Sequence, residues 1–318
     1  MPAETKELVL GGQAVIEGVM MKGAETYAVA VRKSGGEIVV RDFPLSRGVA
    51  QRRFAKTPVV RGVFTMVAML VIGYRALQFS ADEAIADAER REAKGGAAPR
   101  KDEGAAGGGA AMAGALALAL LLGVGLFFWL PLVATRGISL LVPALSGRFA
   151  FNVVDGIVRV LVFVGYVVAI GAIRDIRRIF EYHGAEHKVV NAHERKADLS
   201  PGGVASFSRL HPRCGTSFLL FVMVIGIAVF SFIPHDSSLL TKALMRLLLL
   251  PAVAGISYEV LRLSARKAES PVFRALVAPG LLLQRLTTRE PDLAQIEVAI
   301  ASFRRVAPGG GTEAGLVG

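Results

Sequence analysis

The stretch from Ala110 to Thr135 holds no charged residue and runs through LALALLLGVGLFFWLPLVA. About 20 mostly apolar residues cross the roughly 30 Å of bilayer hydrocarbon. A helix apolar on every side also has no polar face to offer water. This segment therefore commits the chain to a membrane. Three further stretches follow: about Asn152 to Ile173, Gly215 to Pro234, and about Leu244 to Leu263. The second carries Asp155 four residues before Arg159, a spacing that lets the two pair on one helix face. The third is charge-free, and the fourth holds Arg246 near one end with Glu259 and Arg262 near the other. The expected fold is mainly α: a polytopic helical membrane protein of about four transmembrane helices, with a small N-terminal β element and interfacial helices.

Loop charge sets the expected orientation. The segment 174–214 carries eight Lys and Arg residues, and Arg47, Arg52, Arg53, Lys56 and Arg61 precede the first span. Residues 135–151 contain only Arg136 and Arg148, and residues 235–243 only Lys242. Four spans then place both termini and the loop 174–214 in the cytoplasm. No basic start followed by an apolar core marks a signal peptide in the first thirty residues. The net charge of +11 follows from this asymmetry. Specific nucleic-acid binding is not expected, because no soluble basic face with interleaved aromatics is present. A single cysteine, Cys214, excludes a disulfide scaffold and fits a reducing compartment.

Five regions result. Residues 1–56 form an N-terminal cytoplasmic β element, in which YAVAVRK and EIVVRDF are joined by Ser34-Gly35-Gly36, a hairpin signal. The glycines of GGQAVIEGVMMKG ahead of it indicate special turns. Residues 57–80 have an apolar core of about a dozen residues, short for a span, and are expected to form an interfacial or re-entrant helix. Residues 81–109, charged and then rich in Ala and Gly, read as a flexible linker. The spans occupy 110–263, and 264–318 is a C-terminal cytoplasmic or interfacial segment with helical periodicity from Asp292 to Val306.

One constellation carries chemistry. In FEYHGAEHKVVNAHE, His183 and His187 stand four residues apart, one turn along a single helix face, as paired metal ligands require. Glu186 between them completes H-x-x-E-H, the spacing in which the Glu of inverted zinc peptidases serves as base. A third ligand is needed, and His211-Pro212-Arg213-Cys214 supplies imidazole and thiolate, both suited to Zn²⁺. Glu194 lies about 10 Å further along the stripe, and His193 points the other way. Glu259, ionisable near the end of a span, is an alternative ligand or a partner of Arg262 or of a neighbouring helix. Glu17, in VIEGVM, either approaches the histidines or ends a strand. Structural readings stand beside these: the histidines can bind lipid headgroups or each other, and Cys214 can be a small buried hydrophobe.

The set GGQAVIEGVM, YHGAEHKVVN, RLHPRCGTSF, GISYEVLRL and LTTREP…QIEVAI, in this order, resembles the YqhQ family of bacterial multi-pass membrane proteins. The likeness covers nearly the whole chain apart from the Ala/Gly-rich linker and the tail. It implies a cytoplasmic-membrane protein, predicted in that family to be a metal-dependent enzyme, and it marks Glu17, His183, Glu186, His187, His211, Cys214 and Glu259 as motif residues. Two functions stay open. One is a membrane metal hydrolase with His183, His187 and either His211 or Cys214 on zinc and Glu186 as base. The other is a non-catalytic scaffold or biogenesis factor, with a structural His/Cys cluster and a basic face for a cytoplasmic protein partner. Transport is a weaker third, since the two strongest spans lack ionisable residues.

Overall fold

The computed structural model describes residues 11–45, 57–94, 108–212, 214–234, 237–266 and 270–307. Residues 1–10 and 46–56 of the expected β element, 95–107 of the linker, Arg213 and the tail from 308 lie outside them. The strands are β1 (Gly11–Val15), β2 (Gly18–Lys22), β3 (Thr26–Arg32) and β4 (Ile38–Pro44). The helices are α1 (Val60–Lys94), α2 (Gly108–Val124), α3 (Leu130–Leu141), α4 (Arg148–Gly171), α5 (Arg174–Glu194), α6 (Pro201–Ala205), α7 (Gly215–Phe230), α8 (Leu239–Arg266), α9 (Pro271–Thr287) and α10 (Leu293–Val306).

The strands form an antiparallel meander in the order β1-β2-β3-β4. The expected hairpin is β3–β4, and the glycine-flagged segment is a second hairpin, β1–β2, closed by Ile16 and Glu17. Alternate residues of β2 and β3 face opposite sides of the sheet. Val19, Met21, Ala28 and Ala30 pack with Tyr182, Ala185 and Val189 of α5 and Ile296 and Ile300 of α10. Met20, Tyr27, Val29 and Val31 pack with Ala76 and Phe79 of α1. A sheet covered on both faces explains why these strands read as continuous apolar runs. Each fully buried Val or Met side chain contributes about 1.5–3 kcal/mol by removal from water. α10 opens on a capping box, with Asp292 accepting from the Gln295 amide at 2.7 Å.

Among the described residues, four helical stretches are long and apolar enough to cross a membrane: Val60–Ala93, Ala117–Leu141, Phe149–Gly171 and Leu239–Ser264. The number matches the expectation, but the set does not. α7, from the expected third span, has only 16 residues, about 24 Å at 1.5 Å per residue. It ends where Ser231 and Pro234 interrupt the apolar run. α1 corrects the expectation in the other direction. Its 35 residues span about 52 Å, so residues 81–94 are helix rather than linker. Ala, Glu and Arg favour helix beyond the apolar stretch, and the sheet holds this half in place: Lys33 pairs with Glu83 at 3.2 Å, and the Ser34 amide donates to Asp87 at 2.9 Å. A π turn, Gly125–Trp129, joins α2 to α3. Pro131, which has no N–H to donate four residues back, accounts for that irregularity.

Candidate metal centre

α5 is amphipathic, and its buried residues run from Tyr182 through Ala192. One stripe of it, His183, His187 and Asn191, faces the segment 205–211. The Asn191 side-chain amide donates to the carbonyls of Ser208 (2.7 Å) and Leu210 (3.1 Å). Lys188, buried, donates to those of Ala205 (2.7 Å) and Phe207 (2.8 Å). These bonds bring the Arg209 carbonyl onto His187 Nδ1 at 2.7 Å. Gln284 of α9 then grips the next peptide, donating to the His211 carbonyl at 2.8 Å and accepting from its N–H at 2.9 Å. The chain emerges at Cys214, the N-cap of α7, whose sulfur accepts from the Thr216 amide at 3.4 Å. α9 ends against His183, with the Thr287 carbonyl 2.9 Å from Nδ1.

The two imidazoles lie with ring centroids 4.4 Å apart. A carbonyl oxygen only accepts, so Nδ1 carries the proton in each ring and Nε2 keeps its lone pair. His183 Nε2 points to Cys214 Sγ at 3.3 Å. His187 Nε2 is buried with no hydrogen-bond partner. One ligand atom from each of His183, His187 and Cys214 lies within 4.8 Å of the other two. Burial pushes the His187 imidazole below the usual histidine range, against the raising effect of Cys214, which keeps it in the neutral form a metal requires. Two imidazoles whose Nδ1 atoms are held by carbonyls, one sulfur and one orphaned Nε2 fit zinc.

Glu186 stands beside this group. Its Oε1 accepts from the Gly12 amide at 2.8 Å, and Oε2 is buried without a partner. Burial pushes its carboxyl well up, opposed by His183, the Gly12 amide and His211. Gly12 is required by space: a Cβ there would fall 2.5 Å from the Met20 carbonyl and 2.9 Å from the Glu186 carboxyl.

The other expected residues are not among these three ligand atoms, although the His211 ring lies 5.9 Å from that of His187. His211 does not join the ligand atoms of the pair; its Nε2 is 3.1 Å from Glu194 Oε1, which the two further helical turns after His187 bring to it. Glu17 is bound by Arg178 through two guanidinium nitrogens, Nε and Nη2, the latter at 2.6 Å, and by the Tyr182 hydroxyl at 3.3 Å. It fastens the β1–β2 turn to α5 in a left-handed conformation, φ 52°. Glu259 pairs with Arg61 across α1 and α8, with Nε at 2.6 Å, and accepts from the Val59 amide at 3.3 Å. The neighbouring-helix reading therefore replaces Glu259 as an alternative ligand. His193 packs on Phe303 with centroids 4.7 Å apart. Sequence reasoning missed Gln284 and Asn191, although a glutamine inside LLLQRL and an asparagine at the fourth residue after His187 were visible. The Thr287 and Arg209 carbonyls leave no side-chain signal at all.

Gly184, beside His183, marks how tightly α5 meets the segment after α9. A Cβ there would fall 2.1 Å from the Arg289 carbonyl, next to the Arg289 amide that donates to the Phe180 carbonyl at 2.8 Å. Gly184→Ala is expected to destabilise the protein by about 1–3 kcal/mol, the range for overpacking, seen as a lower Tm in thermal unfolding.

Fold and site together define a mainly helical protein with four helices suited to crossing a membrane, a two-sided N-terminal sheet and a His₂Cys cluster between them. Residues 57–308 match the family described as "Protein of unknown function (DUF1385)". The chain belongs to that family. "Uncharacterized protein YqhQ" of Bacillus subtilis (strain 168) is 35% identical over 300 residues, covering 93% of this chain and 91% of the relative. Neither description names an activity. No solved structure matches.

Proposed function

We propose that the chain is an integral protein of the bacterial cytoplasmic membrane that holds zinc through His183, His187 and Cys214 and hydrolyses a lipid-linked or membrane-embedded substrate. The observation that carries this reading is the convergence of three ligand atoms within 4.8 Å, two of them on imidazoles whose Nδ1 protons are fixed by the Thr287 and Arg209 carbonyls. Three protein ligands are the number that leaves a position open for reaction, whereas structural sites close with four. The basic segment 174–214 supports a cytoplasmic location for the cluster.

Zinc bound there would supply Lewis acidity, polarising a carbonyl or phosphoryl oxygen and making water more acidic. Glu186 does the proton work. Its Oε1 is tethered to Gly12 N–H, while Oε2 has no hydrogen bond. Oε2 takes the proton of the attacking water and returns it to the leaving group. The Thr287 and Arg209 carbonyls hold the Nδ1 atoms of His183 and His187 and so turn each Nε2 toward the metal position. The Gly12 tether keeps the carboxylate from swinging.

The cluster's surroundings also knit α5, the 205–211 segment and α9 through Lys188, Asn191 and Gln284. This favours a structural contribution as the second reading. Glu186→Gln separates the two. It is expected to retain stoichiometric zinc and a wild-type unfolding transition, yet fail to complement loss of the gene. Full complementation by Glu186→Gln would leave the structural reading in place and remove the hydrolase.

A further inference from the structure

Cys214 reaches the cluster as the last residue of a turn, and the start of α7 decides what surrounds its sulfur. The Cys214 amide donates to the His211 carbonyl at 3.3 Å, closing the turn whose first peptide Gln284 holds from both sides. With φ −70° and ψ 145° Cys214 is still extended, and the helix begins at Gly215. A side chain in that position lies over the first helical turn, where it meets N–H groups that the helix itself cannot satisfy. The sulfur accepts from the Thr216 amide at 3.4 Å, and the Thr216 hydroxyl stands 3.3 Å from the same sulfur. A third neighbour, His183 Nε2, lies at 3.3 Å.

These three contacts are not equivalent on a metal centre. His183 Nε2 and Cys214 Sγ both belong to the ligand atoms that converge within 4.8 Å, and a lone pair given to a metal is not shared with the ligand beside it. A metal-bound cysteine is a thiolate, which has no proton to donate. The Thr216 hydroxyl can then act toward it only as a donor. Both hydrogen bonds left on the sulfur come from this one residue. Among the described residues the hydroxyl has no competing partner. Its β-branched side chain has few rotamers and its backbone is fixed by α7, so the donor is held in place.

We propose that Thr216 is a positioning residue of the metal centre: its amide and hydroxyl hold the Cys214 thiolate by two hydrogen bonds and draw charge away from the sulfur. This role rests on the zinc reading and deepens it. A thiolate gives more electron density to a metal than an imidazole does, and that density is Lewis acidity lost at the open position. Hydrogen bonds to a ligand sulfur reduce the donation, the same lever that tunes copper and iron–sulfur centres, and they orient the ligand as well. Thr216 thus lets a centre with one sulfur keep more of the acidity that polarises a carbonyl or phosphoryl oxygen.

Full-length protein in detergent, loaded with Co²⁺ in place of zinc, tests this. A cobalt-bound thiolate gives a sulfur-to-metal charge-transfer band in the near ultraviolet, whose energy follows the electron density on the sulfur. The wild type is expected to show the band. In Thr216→Val, which keeps the branched shape without the hydroxyl, the band should move to longer wavelength. Its zinc affinity, measured by competition against Co²⁺, should fall about tenfold, the low end for a lost orienting partner. Thr216→Ser returns the hydroxyl and should restore both, and Thr216→Ala, without added bulk, should show the same shift as Thr216→Val. A residue that only capped the helix would lower Tm and leave the band in place. An unmoved band in both Thr216→Val and Thr216→Ala would therefore overturn the proposal while leaving the zinc reading intact. No charge-transfer band in the cobalt-loaded wild type would remove Cys214 from the centre and overturn both.

Discussion

His187→Ala protein purified from zinc-supplied cells should contain almost no zinc, against about one ion per chain in the wild type, as a site with one filled centre requires. The expectation rests on the position of Nε2, buried, unpartnered and aimed away from the carbonyl that fixes Nδ1. His183→Ala should behave alike, since its Nε2 already lies 3.3 Å from the cysteine sulfur. Gln284→Leu removes no ligand but releases the peptide that leads to Cys214; about a 10- to 100-fold loss of zinc affinity is expected, the usual effect of an orienting partner. His193→Ala, on the Phe303 side of the same helix, should keep its zinc. Elemental analysis of the four proteins checks the set, and zinc retained in His187→Ala would remove that residue from the centre.

The largest expected change in stability lies at Asp155. Asp155→Asn removes the one carboxylate between Arg159 and Arg246 and strands both guanidiniums in the bundle. Breaking a buried ion pair from one side costs about 3–5 kcal/mol, which should appear as a large fall in Tm in detergent. Replacing all three residues by Leu or Met should cost less, because a wholly apolar replacement carries no desolvation penalty. A Tm for Asp155→Asn equal to that of the wild type would mean that the network is not closed to water.

Much of this architecture was legible in the residues, and the gaps have physical reasons. The apolar run ending at Thr135 and the His183–His187 spacing each follow from a single helix period, and the turn Ser34-Gly35-Gly36 from local backbone preference. The β1–β2 hairpin was not legible as a hairpin, because its two-residue turn uses Ile16 and Glu17 where Asn and Gly are expected. Glu17 holds a left-handed φ only with Arg178 and Tyr182 gripping its carboxylate. The length of α1 depends on the sheet that packs on its second half, and no window of its own sequence contains that sheet. Asp155 and Arg159 announced each other at four residues, but Arg246 arrives from a helix 91 positions later. At the site, the ligand residues were readable, whereas the choice of Cys214 over His211 depends on Gln284 and Glu194 orienting one loop.

Zinc-edge X-ray absorption on the purified full-length protein tests the central claim most directly. Two nitrogen neighbours at about 2.0–2.1 Å and one sulfur at about 2.3 Å are predicted for His183, His187 and Cys214. A first shell without sulfur, or a protein that takes up no stoichiometric zinc, would contradict it.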